Sequence, residues 1–126
     1  MTVTALDHVN IRAPADDIAK LKQFYCDVIG LRDGWRPPFE SRGHWLYAGE
    51  HPIVHLVEGP VDAAVSPRAG VDHVSFRSGD LEDFAQRLSA SGIPFSDTRV
   101  PTLGLRQLLV RDPLGIGVEI TAATPG

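Results

Sequence analysis

The stretch Leu6-Asp7-His8-Val9-Asn10-Ile11-Arg12 returns in the middle of the chain as Val71-Asp72-His73-Val74-Ser75-Phe76-Arg77. The two copies agree at Asp, His, Val and Arg, and the other three positions are conservatively changed. Self-similarity of this kind marks a duplicated structural unit. Read as strands, both copies alternate sides: His8, Asn10 and Arg12 share one, Val9 and Ile11 the other, and in the second copy His73, Ser75 and Arg77 oppose Val74 and Phe76. The apolar sides belong against a core, so the histidine sides face whatever cavity the fold encloses.

The segments C-terminal to the two copies also match in type. After the first, Pro14, Asp16 and Asp17 signal a helix start, Ile18, Leu21, Phe24, Tyr25 and Val28 recur at helical spacing, and Gly30 supplies the stop. After the second, Asp80 is an N-cap with Asp83 three residues on, Leu81, Phe84 and Leu88 form the apolar stripe, and Gly92 ends it. Short strands come next, expected over 31–36, 44–48 and 52–58 and again over 94–99, 105–111 and 116–122. Asp112-Pro113-Leu114-Gly115 carries type I turn chemistry, and Gly49-Glu50-His51-Pro52 is its looser counterpart. The stretch 59–70, with Pro60, Ser66, Pro67 and Gly70, reads as a linker. The expectation is an α+β fold of two βαβββ modules within one domain over 1–126, module one about 4–58 and module two about 71–122.

Composition narrows the function. A chain of 126 residues with 43% hydrophobic content supports one domain with a real core. Its 12 basic and 16 acidic residues are scattered, so no basic field exists for nucleic acid. No run approaches the roughly 20 apolar residues of a membrane span, and the N-terminus lacks a secretory pattern. With the lone Cys26, which has no partner for a disulfide, this predicts a cytoplasmic protein. Cys26 itself reads as a packed or half-exposed side chain rather than a catalytic thiol.

Four ligand-type residues occupy equivalent places: His8 and His73 on the first strands, His55 and Glu119 on the last. Glu119 lies between Val118 and Ile120, where an unpaired carboxylate would cost several kcal/mol. A metal ion would compensate it. Three imidazoles and a carboxylate suit Zn²⁺, Ni²⁺, Co²⁺, Fe²⁺ or Mn²⁺ and leave one or two positions open for chemistry. Tight motifs such as HxH or HExxH are absent, and a hydrogen-bonded core histidine stays an alternative at each position. Trp45 and Tyr47 share one strand face, and Trp45 is the better candidate for a substrate mouth. Gln107, polar within a run of Leu and Val, is placed toward the cavity and its neighbour Arg106 away from it; either is a candidate for binding substrate. Arg36, before Pro37-Pro38-Phe39, is a candidate for an anionic group. His44, His51, Arg12 and Arg77 read as solvent-facing.

LDHVNI at 6–11, QFYCDVIGLR at 23–32, VDHVSF at 71–76 and RDPLGIGVEI at 111–120 together resemble the vicinal oxygen chelate superfamily. That group includes glyoxalase I, fosfomycin-resistance transferases, methylmalonyl-CoA epimerase, extradiol dioxygenases and bleomycin-binding proteins. The resemblance implies a U-shaped mixed sheet around a metal cavity with helices outside. It carries the ligand role to His8, His73, His55 and Glu119, with His55 standing where glyoxalase I commonly has Glu or Gln. It also implies a small substrate chelating one divalent metal through neighbouring oxygens, Glu119 as base, and pairing as homodimers. The expected function is a lyase or isomerase of glyoxalase type. The alternatives are an Fe²⁺ ring-cleaving dioxygenase using His8, His73 and Glu119, a metal-free bleomycin-type drug binder, and a fosfomycin-type transferase, for which the last strands have few suitable polar residues.

Overall fold

The computed structural model describes residues 2–61 and 71–124, so most of the expected linker, 62–70, lies outside the described residues. The chain divides into two compact units, Met1–Ala63 and Ala64–Gly126. In the first, β1 (Val9–Ala13) is followed by α1 (Ala15–Gln23), a π-helical turn (Phe24–Val28), β2 (Arg32–Gly34), β3 (Gly43–Ala48) and β4 (His51–Glu58). The second has β5 (His73–Arg77), α2 (Leu81–Ala90), β6 (Ser96–Val100), a 3₁₀ turn (Pro101–Leu103), β7 (Leu105–Arg111) and β8 (Gly117–Ala123). This is α+β, two βαβββ modules, each built on a four-stranded mixed sheet.

The sheets share one order, β1-β4-β3-β2 and β5-β8-β7-β6. First and last strands pair in parallel, and the remaining neighbours are antiparallel. The registers correspond residue for residue: Val9 faces Val54 and Asn10 faces His55, as Val74 faces Val118 and Ser75 faces Glu119. His55 and Glu119 are therefore the same position of the repeat.

Each helix covers one face of its own sheet. Ile18, Leu21, Phe24 and Tyr25 are buried with Leu46, Val54 and Leu56 in the first unit; Leu81 and Leu88 are buried with Leu108, Val110, Val118 and Ile120 in the second. Burial of such side chains contributes about 1.5–3 kcal/mol each and holds helix to sheet. Asp80 caps α2 as expected, its carboxylate accepting from the Asp83 N–H at 3.0 Å. α1 departs from the simple helical reading. At its end the Ile29 N–H reaches the Phe24 carbonyl at 3.1 Å, a π-type bond whose extra residue allows consecutive Phe24 and Tyr25 both to point inward. Gly30, at φ 93°, then closes the helix through the bond from the Leu31 N–H to the Tyr25 carbonyl.

Several strand ends differ from expectation. β2 stops at Gly34 instead of reaching 36, because Pro37 and Pro38 offer no N–H and the Trp35 carbonyl is taken by the Tyr47 hydroxyl at 2.6 Å. Gly34 is required there, since a Cβ would meet the Tyr47 ring at 2.7 Å. β4 begins at His51, the loop being the two residues Gly49-Glu50. β6 runs 96–100 rather than 94–99, where Pro94 cannot donate to a ladder. The Asp112–Gly115 turn forms as expected: the Gly115 N–H donates to the Asp112 carbonyl, and the Asp112 carboxylate accepts from Leu114 and Ile116.

Leu108 is fully buried on the α2 side of β7, so Leu108→Ala should cost about 2–5 kcal/mol in urea unfolding. At Gly117 a Cβ would meet the Asp72 carbonyl at 2.5 Å and the His73 Cβ at 2.8 Å. Gly117→Ala is therefore expected to cost about 1–3 kcal/mol in the same assay, although it adds a single methyl group.

Candidate functional site

The two parallel strand pairs set the functional side chains in twos. In the second unit His73 and Glu119 project from the same side of β5 and β8, with the imidazole Nε2 4.0 Å from the carboxylate Oε2. The other carboxylate oxygen is occupied: Oε1 accepts from Gln107 Nε2 at 2.9 Å and from the Thr121 hydroxyl at 3.2 Å. Gln107 reaches it because it stands opposite Thr121 across β7 and β8. Glu119 thus has one oxygen fixed by neighbours and one turned to His73.

Nδ1 of His73 contacts the Asp72 carboxylate at 2.9 Å. In the first unit His8 Nδ1 contacts Asp7 at 2.7 Å in the same way. A carboxylate only accepts, so Nδ1 donates in both, and the neutral form of each ring carries its lone pair on Nε2. Carboxylates that hold a histidine by one nitrogen while the other binds metal are the usual outer partners of metal-ligating imidazoles. The Asp-His dipeptide is plain in the repeat, but sequence reasoning missed this role for Asp7 and Asp72.

His55 is placed differently. It stands opposite Trp45 across β3 and β4. Its ring is sandwiched, 4.2 Å from that of Trp45 and 3.8 Å from that of His8, with interplanar angles of 12° and 13°. Its Nε2–H donates to the Pro52 carbonyl at 3.1 Å. His51, expected in solvent, is exposed but bonded, its Nε2–H donating to the Asp7 carbonyl oxygen at 2.7 Å.

Beside this stack lies a groove of about 580 Å³ within the first unit, lined by His8, His55, Trp45, Phe39, Asn10 and Arg36 among others. Trp35 and Phe39 edge towards Trp45 and stay 70% and 53% exposed, an unusual amount of aromatic surface in water. Arg36 is largely committed: its guanidinium donates to the Ser41 carbonyl and hydroxyl and lies over the Phe39 ring. Arg106 pairs with Asp97 and with Glu82 of α2, on the opposite side of β7 from Gln107. Burial pushes the Cys26 thiol pKa up, away from a reactive thiolate.

Among the described residues no three His, Cys, Asp or Glu side chains gather as a metal site. The structure brings His8 together with His55 and His73 together with Glu119. Within each unit the donor chemistry suits a borderline divalent ion: His8 in the first and His73 in the second are imidazoles oriented at Nδ1 by a carboxylate, and Glu119 beside His73 has one oxygen held by Gln107 and Thr121 and the other turned to the imidazole. The His55 ring, stacked on both faces and bonded through Nε2, is differently disposed.

A family model matches residues 5–120, that of the Glyoxalase/Bleomycin resistance protein/Dioxygenase superfamily. The chain belongs to this superfamily. Among similar solved structures is a glyoxalase family protein from Bacillus anthracis, 25% identical, covering 98% of each chain at a TM-score of 0.73. A lactoylglutathione lyase from Agrobacterium tumefaciens is 22% identical over 97% of this chain and 96% of its own, at 0.69. An antibiotic binding protein from a Streptomyces species is 20% identical over 98% and 99%, at 0.70. At the identities of these last two the likeness carries the fold alone. Comparison with curated protein sequences gives no match.

The hydrogen bond that His73 donates to Asp72 raises the pKa of His73 above its usual 6.5, and burial lowers that of His55 below 6.5. The stability linked to His73 is therefore fully present below pH 6.5 and fades as pH rises through its raised value; that linked to His55 is lost as pH falls below 6.5. NMR titration of the metal-free protein should order the two accordingly, and Asp72→Asn should bring the His73 midpoint down.

Proposed function

We propose that this superfamily member is a divalent-metal-dependent enzyme of glyoxalase type, a lyase or isomerase acting on a small substrate with neighbouring oxygens. His8, His73 and Glu119 would hold the metal. One observation carries the reading: both modules present a histidine held by the carboxylate before it, Nε2 unshared, and the second module adds a carboxylate facing that nitrogen. Each module contributes part of a centre. Completion by the other module of the same chain or of a second copy fits the homodimer that the family resemblance implies. The lone cysteine and the absence of any helix long and apolar enough to cross a membrane, among the described residues, support a cytoplasmic setting.

When bound, the metal would supply Lewis acidity, lowering the cost of negative charge on substrate oxygens as a proton leaves the adjacent carbon. The chain's own groups do the rest. Gln107 and Thr121 occupy one oxygen of Glu119 and so fix the carboxylate plane; the second oxygen, turned to His73, would hold the metal and, once released from it, would serve as the proton acceptor. Trp45 and Phe39 give an apolar wall against which a substrate excludes water, and Arg36, fastened to Ser41, keeps Phe39 at the rim. Arg106, engaged with Asp97 and Glu82, ties α2 to its sheet and leaves recognition to Gln107.

The exposed Trp35 and Phe39 favour a second reading, a binder of planar aromatic molecules like the bleomycin-resistance members. The same three donors would also serve an Fe²⁺ ring-cleaving dioxygenase.

Elemental analysis after reconstitution with Zn²⁺, Ni²⁺, Co²⁺, Fe²⁺ or Mn²⁺ separates these. The wild type is expected to retain one ion per site, His8→Ala, His73→Ala and Glu119→Ala to lose it, and Asp72→Asn to bind about 10–100-fold more weakly. A wild type that takes up none of these ions while an aromatic ligand quenches its tryptophans would replace the enzyme by the binder.

A further inference from the structure

The position that repeats Glu119 in the first module is His55, and its geometry departs from that of a ligand. An imidazole binds a metal through an in-plane lone pair, with the ion about 2.1 Å from nitrogen. The His8 and His55 rings are 3.8 Å apart and within 13° of parallel, so their lone pairs run in nearly parallel sheets. An ion in the plane of His8 lies almost a full ring thickness outside the plane of His55, where that ring offers only its π face. The His55 Nε2 proton is moreover given to Pro52. Trp45 closes the second face at 4.2 Å, so tilting the ring towards a shared ion would break two stacking contacts and one hydrogen bond.

We propose that His55 is not a metal ligand but the middle layer of a Trp45–His55–His8 stack, a positioning residue that sets the plane in which His8 presents its Nε2. The inference rests on the reading of His8, His73 and Glu119 as the metal-holding set. With His8 held by Asp7 at Nδ1 and by His55 on its face, its orientation is fixed about two axes. The requirement at position 55 is then a flat ring and not a donor atom.

The test is Co²⁺ binding to the full chain, followed by its visible absorption, for the wild type, His8→Ala, His55→Phe and His55→Ala. Phe keeps the ring and removes every donor. His55→Phe is expected to bind within about threefold of the wild type with an unchanged spectrum; His55→Ala, which unstacks His8, to bind about 10–100-fold more weakly, as loss of an outer-shell support does; and His8→Ala more weakly still. A His55→Phe protein that loses Co²⁺ as completely as His8→Ala overturns the proposal. If His55→Phe does not fold, long-range ¹H–¹⁵N spectra of the wild type decide: added Zn²⁺ should displace the Nε2 signals of His8 and His73 and leave both nitrogens of His55 in place, and a displaced His55 nitrogen overturns it. If the wild type binds no ion, the metal reading fails separately. The stack is then judged in a Trp35→Phe background, where Trp45 emission should change in His55→Ala and not in His55→Phe; unchanged emission in His55→Ala refutes the stack.

Discussion

Parallel pairing between the first and last strand of each module is the constraint on which the remaining geometry depends. Those strands are distant in sequence, and their ladder joins the two ends of each module across a helix and two intervening strands. Once formed, it places position 73 beside 117 and 119, and position 10 beside 55, with little freedom left. The side-chain period of two then decides which residues meet: Val74, Val118 and Ile120 turn to the helix, His73 and Glu119 away from it. A one-residue slip would send the carboxylate into the core and the valines into water, so the core that stabilises the sheet also fixes the functional pair.

The same register produces two different chemistries. In the second module, Gln107 and Thr121 divide the carboxylate into a held oxygen and an available one. In the first, the strand next to the equivalent position carries Trp45, and the pair becomes part of an aromatic column along a groove. Two positions on the adjoining antiparallel strand make the difference: Trp45 stands opposite His55 where Leu109 stands opposite Glu119, and Gly43 takes the place of Gln107, so one module has a flat aromatic wall and the other a polar, hydrogen-bonded corner.

Much of this was legible in the chain itself. The matched heptapeptides and the DPLG turn identified the modules, because those signals are local and their physics is that of a single strand, helix or turn. The repeat pairs His8 with His73, and the family resemblance supplies the last-strand pair, His55 and Glu119. The stacking of His55 could not be read from either, because it depends on which residue of β3 lies opposite, and β3 and β4 slip register at Leu46/Tyr47 by an irregularity that no local pattern announces. The commitments of Arg36 to Ser41 and of Arg106 to Asp97 and Glu82 are likewise facts of three-dimensional proximity. A lone arginine in a sequence reads the same whether it braces a loop or awaits an anion. Asp7 and Asp72 lay in plain view within the repeat, yet their value emerges only when the carboxylate is seen against Nδ1 of the next residue.

Gly117 allows β8 to approach Asp72 and His73 more closely than any side chain would permit, and the residue before Val54 in the first module, which occupies the same place, is Ile53. The duplicated unit has therefore lost its equivalence at the backbone as well as at the donors. In one copy the glycine lets the strand bearing Glu119 lie close against His73; in the other a branched side chain takes that place and the neighbouring histidine is held by ring-on-ring contact. Copying Ile53 into position 117 would drive a branched side chain against the Asp72 carbonyl and the His73 Cβ, so the two halves are not interchangeable at this place.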